Sequence, residues 1–464
     1  YLTQWAMFRN GLRQEVAGTL VLGEPADGTW MILQSGGYYG ATLLLFLLYL
    51  WLLILCRSGL LRDGRTRTLA LGFPVLFNAG LLFGDPYQSI DALTYIAHGY
   101  MGNLPDVNPY VTNAAEVARF DFAGQLAPYG WLPVHGFSPY GPLWTYLEIA
   151  AFKVAGDVSS TLLLIKSMVV ASSLGSAALI WKILGRVRPE DQLLGTLVYL
   201  WNPVIVVEFA AEGHNDALMI LCVLASLALC VSWRPAPTMV ASVLGVLVKY
   251  VPVIFVPAQV VYLWHSRRSR MRLALSIFVG LLIGVGLAFL IYDPFWVGLR
   301  TFEGVRVQGQ PLYAPSPSGL LYGYLSLAYP QGVADRLTLW VLAGAFAVFV
   351  LFASLRARDA AGLFGACACI ALAYVLVVSS HYWPWYASLP LALMALRPGG
   401  IFFPAALVLT LCSRLVAPLS TLYTNDFISA EFSLDLKMAV GVTGPLAVLL
   451  LLSLLPRFRR EAKE

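Results

Sequence analysis

The chain has 464 residues, 59% of them hydrophobic and 12% charged, roughly half of the ~25% charged fraction of an average soluble domain. That composition excludes an ordinary soluble protein, and the apolar runs approach the ~20 residues that a helix needs to cross a bilayer. Uninterrupted stretches such as 41–55 and 442–455 also exclude a transmembrane barrel, whose short strands alternate apolar and polar positions.

The net charge of +5 does not point to a nucleic-acid partner. Most cations fall in short clusters between apolar runs, as in Arg57, Arg62, Arg65 and Arg67, or Arg267, Arg268, Arg270 and Arg272, which is the pattern of cytoplasmic loops. The cysteines Cys56, Cys222, Cys230, Cys367, Cys369 and Cys412 all lie within apolar segments, so packing suits them better than a disulfide or a zinc site. The first residue is Tyr rather than Met, and further residues are expected upstream of it.

In chain order, the positive-inside rule orients the runs consistently. A span over 37–56 ends inside at Arg57, and one over 68–83 emerges outside at Asp85. Residues 85–157 are too polar and proline-rich to cross and form a large external loop. Spans follow over 159–184 inward, 192–207 outward and 216–231 inward. The stretch 237–264 begins and ends beside basic residues, with Lys249 and Pro252 midway, and reads as two short helices that enter and return. A span over 273–291 leads to a second external loop, 292–336. Spans over 338–355, 363–378, 384–396, 401–415 and 438–455 complete the path to the basic tail. The expectation is an all-α, polytopic, multi-pass protein of the cell (inner) membrane, a single transmembrane domain over 1–464 with about 13 membrane segments.

Unpaired acids and aromatics gather on the external side. Asp85, with Pro86 after it and Gln88 three residues on, matches a helix cap, a first-turn proline and a capping-box partner. Asp91 would then lie in the second turn, with Tyr95 and Gly99 following on the same face. No cap explains Asp91; it reads either as a partly desolvated base for a hydroxyl or as a solvated aspartate, and periodicity leaves both open. Tyr140-Gly141-Pro142-Leu143-Trp144 forms a rigid turn with stacking surfaces. It leads into an amphipathic surface helix over 141–154, with Glu148 and Lys153 towards water. Glu208 and Glu212-Gly213-His214-Asn215-Asp216 form an acidic cluster at a helix start, where Asn215 or Asp216 can act as cap. It lacks a recognisable metal-ligand spacing. Lys249 stands in an apolar stretch and calls for a partner, either an anionic head group or a buried carboxylate such as Glu208. Arg300, Arg306 and Arg414 are further phosphate candidates. His381, Trp383, Trp385 and Tyr386 surround a proline and can form an interfacial belt or wall a sugar pocket.

Taken together these segments resemble the GT-C class of integral-membrane glycosyltransferases, in particular the polyprenol-phosphate-mannose-dependent mannosyltransferases. The likeness rests on Asp91-x-x-x-Tyr95-x-x-x-Gly99, on Tyr140 to Trp144, on Gly213-His214-Asn215-Asp216-Ala217-Leu218-Met219, on Lys249-x-x-Pro252, and on Pro384-Trp385-Tyr386, in that order over 85–396. Ala92 after Asp91, and the loop between Tyr110 and Tyr140, depart from the pattern. The resemblance implies transfer of a hexose, with mannose as the expected sugar, from a polyprenyl-phosphate donor to a hydroxyl of a glycolipid or lipid-linked glycan, with inversion, on the non-cytoplasmic face. It implies Asp91 as the base, with Lys249, Arg306 and His214 on the donor phosphate. Tyr95, Tyr140, Asn215, Asp216, His381, Trp383, Trp385 and Tyr386 would contact sugar or acceptor. No cofactor and no metal are expected, because side chains can neutralise a monophosphate leaving group. A flippase or transporter of lipid-linked sugars is the alternative, but such proteins carry internal repeats and mid-membrane polar sites, and neither is evident here.

Overall fold

The structure is a computed structural model that describes residues 28–454 apart from 62, 114–115, 117–121, 127–128, 130–135, 266–268, 309–316, 380–381, 401, 417–435 and 437–438. The described chain is all-helical, without strands. Among the described residues five helices are long and apolar enough to cross a membrane: Gly36–Arg57, Val158–Val187, Arg270–Phe295, Gln331–Ser354 and Ala360–Val378. A sixth results if Pro189–Leu200 and Pro203–Ala211, bent by 52°, form one broken span. The sequence predicts one span over 192–207 there. Pro203 lacks the N–H that would continue the helix, and the Asn202 side chain accepts from Val204 N at 3.0 Å to start the next one.

The count of about 13 segments therefore rests on helices that do not qualify by length and composition, such as Gly64–Leu82, Asp216–Val231, Pro235–Val248 and Phe403–Val416. Lys249 and Tyr250 do divide the stretch after Arg234 into the short helices Pro235–Val248 and Val256–Trp264, joined by a 3₁₀ turn over Val251–Phe255.

Burial sorts the helices by role. Arg270–Tyr292 and Gln331–Ser354 carry large exposed apolar side chains, among them Leu275, Phe278, Phe289, Leu339, Trp340 and Phe352. Such faces suit contact with lipid tails. Val158–Val187 and Ala360–Val378 are about half buried and sit centrally. Between Asp216–Val231, Pro235–Val248 and Val256–Trp264 the buried Gln259 amide accepts from Ser242 Oγ and donates to Ser226 Oγ, each at 2.8 Å. Its polar ends are thus satisfied where no water can serve them.

Arg57 donates to the carbonyl of Pro398 at 3.2 Å, and Arg67 lies 5.6 Å over the ring of Trp181. These contacts gather the basic loops at one end of the bundle. Tyr38, near the other end of the helix that carries Arg57, lies instead beside Arg414.

The stretch 85–157, expected as an external loop, departs from expectation in three respects. Its first helix is Asp91–Met101, with Ile90 rather than Asp85 at the cap position, so Asp91 opens the first turn instead of lying in the second. Residues 84–90 stay non-helical because a remote carboxylate serves their amides: Glu212 accepts from Tyr87 N at 3.3 Å and from Gln88 N and Ser89 N at 3.0 Å each. Glu148, expected in water, is wholly buried. It faces His98 at 3.9 Å, where Pro142–Ala155 packs on Asp91–Met101. Gly99 permits that packing, since a Cβ there would lie 2.5 Å from the Glu148 carbonyl oxygen.

Candidate active site

Asp91 begins its helix with its N–H donated to Ser89 Oγ at 3.1 Å. The Tyr140 hydroxyl donates to Asp91 Oδ2 at 3.4 Å, and His214 Nδ1 lies 3.5 Å from the same oxygen. Tyr95, one turn along, is buried and meets Tyr140 and Trp144 edge to face, with centroids 5.3 and 5.1 Å away. The carboxylate thus sits on an aromatic platform formed by Tyr95 and Tyr140.

Lys249 approaches from the break between the two short helices. Its Nζ lies 2.8 Å from Asp216 Oδ2 and 5.6 Å from the centroid of Tyr386. The partner is therefore Asp216, the first residue of its helix, and not Glu208 as entertained from sequence. Glu208 is already taken by Arg414. The Lys249 segment is fastened to the Tyr140 turn: Gly141 N–H donates to Val248 O at 3.0 Å, and Tyr250 OH reaches Tyr140 O at 3.4 Å. A Cβ on Gly141 would collide with the Leu247 carbonyl. Gly141→Ala should accordingly cost about 1–3 kcal/mol, as overpacking does, and lower the thermal unfolding temperature of the purified protein.

His214 joins the two halves. It is wholly buried, with Nε2 3.3 Å from Glu208 Oε2 and the Trp385 ring stacked on it at 3.8 Å. Trp383, more exposed, stacks in turn on Trp385 at 5.2 Å. Both imidazole nitrogens face carboxylates, so the donor-phosphate role expected of His214 is not the contact observed. Burial opposes the charged ring, but Asp91 and Glu208 outweigh it, and the imidazole is pushed up to about 9 from an ordinary 6.5. The folded value lies above the free one, so the stability it contributes is complete below about pH 6.5 and is lost as pH rises through about 9. Thermal unfolding followed from pH 7 to 9.5 should show that decline, and His214→Gln should flatten it. Burial, with the nearby Glu208, likewise lifts Glu212 to about 7.

The remaining expected residues fall as follows. Asn215 is buried at the cap position before Asp216, but it makes no side-chain cap bond, and neither polar atom of its side chain is hydrogen-bonded. Arg306 is exposed and paired with Glu303, its Nε 2.9 Å from Oε2, so it does not reach the Asp91 and Lys249 cluster. Arg300 is exposed on its 3₁₀ turn. Arg414, proposed from sequence as a phosphate candidate, is buried against Glu208 and the ring of Tyr38. His381 lies outside the described residues. Among those described, no three His, Cys, Asp or Glu side chains are grouped to hold a metal.

Two participants escaped the sequence reading. Lys166, wholly buried in Val158–Val187, donates to the carbonyls of Leu81 (2.9 Å) and Gly84 and so secures the entry to the Asp91 loop. The rule that flags a charge within an apolar run, applied to Lys249, flags Lys166 as well. The pairing of Glu208 with Arg414 left no local signal.

A family model described as "Alpha-(1->6)-mannopyranosyltransferase, N-terminal domain" (MptA_B family) matches residues 11–266, just over half of the chain. No curated protein matches the chain. The matched region contains Asp91, Tyr140, His214, Asp216 and Lys249 and ends before Trp385, Tyr386 and Arg414.

Proposed function

The chain belongs to the MptA_B family of alpha-(1->6)-mannopyranosyltransferases, and from that premise we propose that it moves one mannosyl group from a polyprenyl-phosphate donor to a hydroxyl of a glycolipid or lipid-linked glycan acceptor, with inversion. Membership supports a membrane-embedded glycosyltransferase acting with mannose. The proposal adds the donor, the acceptor class, the stereochemistry and the face. It places a GT-C-like single domain of about 13 segments in the cell membrane, with the site turned away from the cytoplasm, where a lipid-linked sugar takes the place of a nucleotide sugar.

The observation that carries the reading is that Asp91 and Lys249 belong to one connected cluster of side chains. They are 158 positions apart in sequence and are linked through the Tyr140 turn on one side and through His214 and Asp216 on the other. In the proposed reaction Asp91 accepts the proton of the acceptor hydroxyl as its oxygen bonds to the anomeric carbon. The bond from that carbon to the donor phosphate breaks, and the polyprenyl phosphate leaves with the electron pair beside Lys249. Lys249 and its neighbours balance the monophosphate, so the reading calls for no divalent metal. Tyr95, Tyr140, Trp383, Trp385, Tyr386 and Asn215 supply ring faces and amide groups of the kind that hold sugars.

Vesicles containing the protein, radiolabelled polyprenyl-phosphate mannose and a glycolipid extract test this directly. Label should enter a new glycosidic bond. Lys249→Met should lower the rate about 10²-fold, the usual effect of removing one group that stabilises developing charge. Label that crosses the vesicle without a new bond would instead establish a flippase.

A further inference from the structure

The proposed chemistry employs Asp91 and Lys249 and leaves a buried row of charges behind Asp91 without a part in it. That row runs from Asp91 through His214 and Glu208 to Arg414. It ends on Tyr38, whose hydroxyl donates to the Arg414 carbonyl at 3.1 Å. An imidazole with a carboxylate at each nitrogen and an indole stacked at 3.8 Å has little freedom to turn. We infer that Glu208 is a positioning residue for the transfer reaction, fixing the His214 ring so that its Nδ1 edge holds the Asp91 carboxylate aimed at the acceptor hydroxyl. The inference rests on the proposed role of Asp91 as base.

Two local features bring Glu208 and His214 together. Glu208 lies in a π-helical turn, Val207–Ala211, a widened turn of the kind that recurs at functional sites. Gly213 then adopts φ +78° and turns the chain back, so that His214 N–H donates to the Glu208 carbonyl at 3.1 Å. Backbone and side chain of residue 208 thereby both engage residue 214.

The charged groups around the ring are Asp91, Glu208 and Glu212, with Arg414 beyond Glu208 and Lys166 packed on Gly213. Tyr140 shares Asp91 with the ring. The carboxylates keep the ring protonated up to about 9, so an Asp91 held in this way should lose its support only in alkaline solution. Without Glu208 that loss should come at lower pH.

Glu208→Gln alone is ambiguous, because it leaves Arg414 buried without its counter-charge. Combining Glu208→Gln with Arg414→Met removes both charges and separates the two roles. Positioning predicts that the double variant regains thermal stability relative to Glu208→Gln, while kcat stays about 10–100-fold below wild type, as for a displaced catalytic group. KM should change little, and the alkaline limb of kcat should move down by about one pH unit or more, following the ring. NMR of ¹³C-labelled histidine, with the resonance assigned through His214→Gln, should show the same downward shift. Recovery of both stability and kcat with an unmoved alkaline limb would make Glu208 a structural residue only and overturn the inference. If the wild type transfers no mannose, the proposed activity fails instead. The imidazole titration then decides the positioning by itself, and equal titration in wild type and double variant overturns it.

Discussion

Asp91→Asn should abolish most mannosyl transfer while leaving the protein folded. Asparagine keeps the shape that Tyr140 and His214 contact but cannot take a proton at neutral pH. General-base catalysis is worth about 10²–10⁴-fold, so kcat should fall roughly 10³-fold, about 4 kcal/mol of barrier. Donor KM and the unfolding temperature should move little, because the lost function belongs to the transition state. Initial rates in vesicles with polyprenyl-phosphate mannose check this, and a variant as fast as wild type would remove Asp91 from the chemistry.

The largest expected effect on stability lies at Arg414. Its guanidinium and the carboxylate of Glu208 are each about 1% exposed, and removing one member of such a pair leaves the other charge stranded. Arg414→Leu should cost about 3–5 kcal/mol on that ground, somewhat offset because His214 remains beside Glu208. Denaturant or thermal unfolding in detergent measures the loss. An unfolding transition equal to wild type would show that the pair is solvated in the membrane-embedded protein.

Much of this site is legible in the sequence, for identifiable reasons. The spacing of Asp91, Tyr95 and Gly99 places them along one helix, and each then has its own contact: the Tyr140 hydroxyl, the aromatic platform and the close approach of Pro142–Ala155. Lys249 announces itself because a charge in an apolar run requires a partner. That the partner is Asp216 follows from how the short helices cross, which no local pattern encodes. The same limit hides Glu208 and Arg414, which are 206 positions apart.

Misreadings had local causes too. Asp85 and Pro86 look like a helix start because the capping pattern is short-range, whereas the amides after them bind Glu212, more than 120 residues away. Glu148 looks solvated because it is charged, but it is buried opposite His98. The break at Pro203 was available from the proline alone.

The most direct measurement is a structure of the protein with a non-transferable phosphonate analogue of polyprenyl-phosphate mannose. The account predicts the phosphonate within about 4 Å of Lys249 Nζ, the reach of an ion pair, and the anomeric carbon on the side of Asp91. A phosphonate seated away from Lys249, with Asp91 shielded from the sugar, would contradict it.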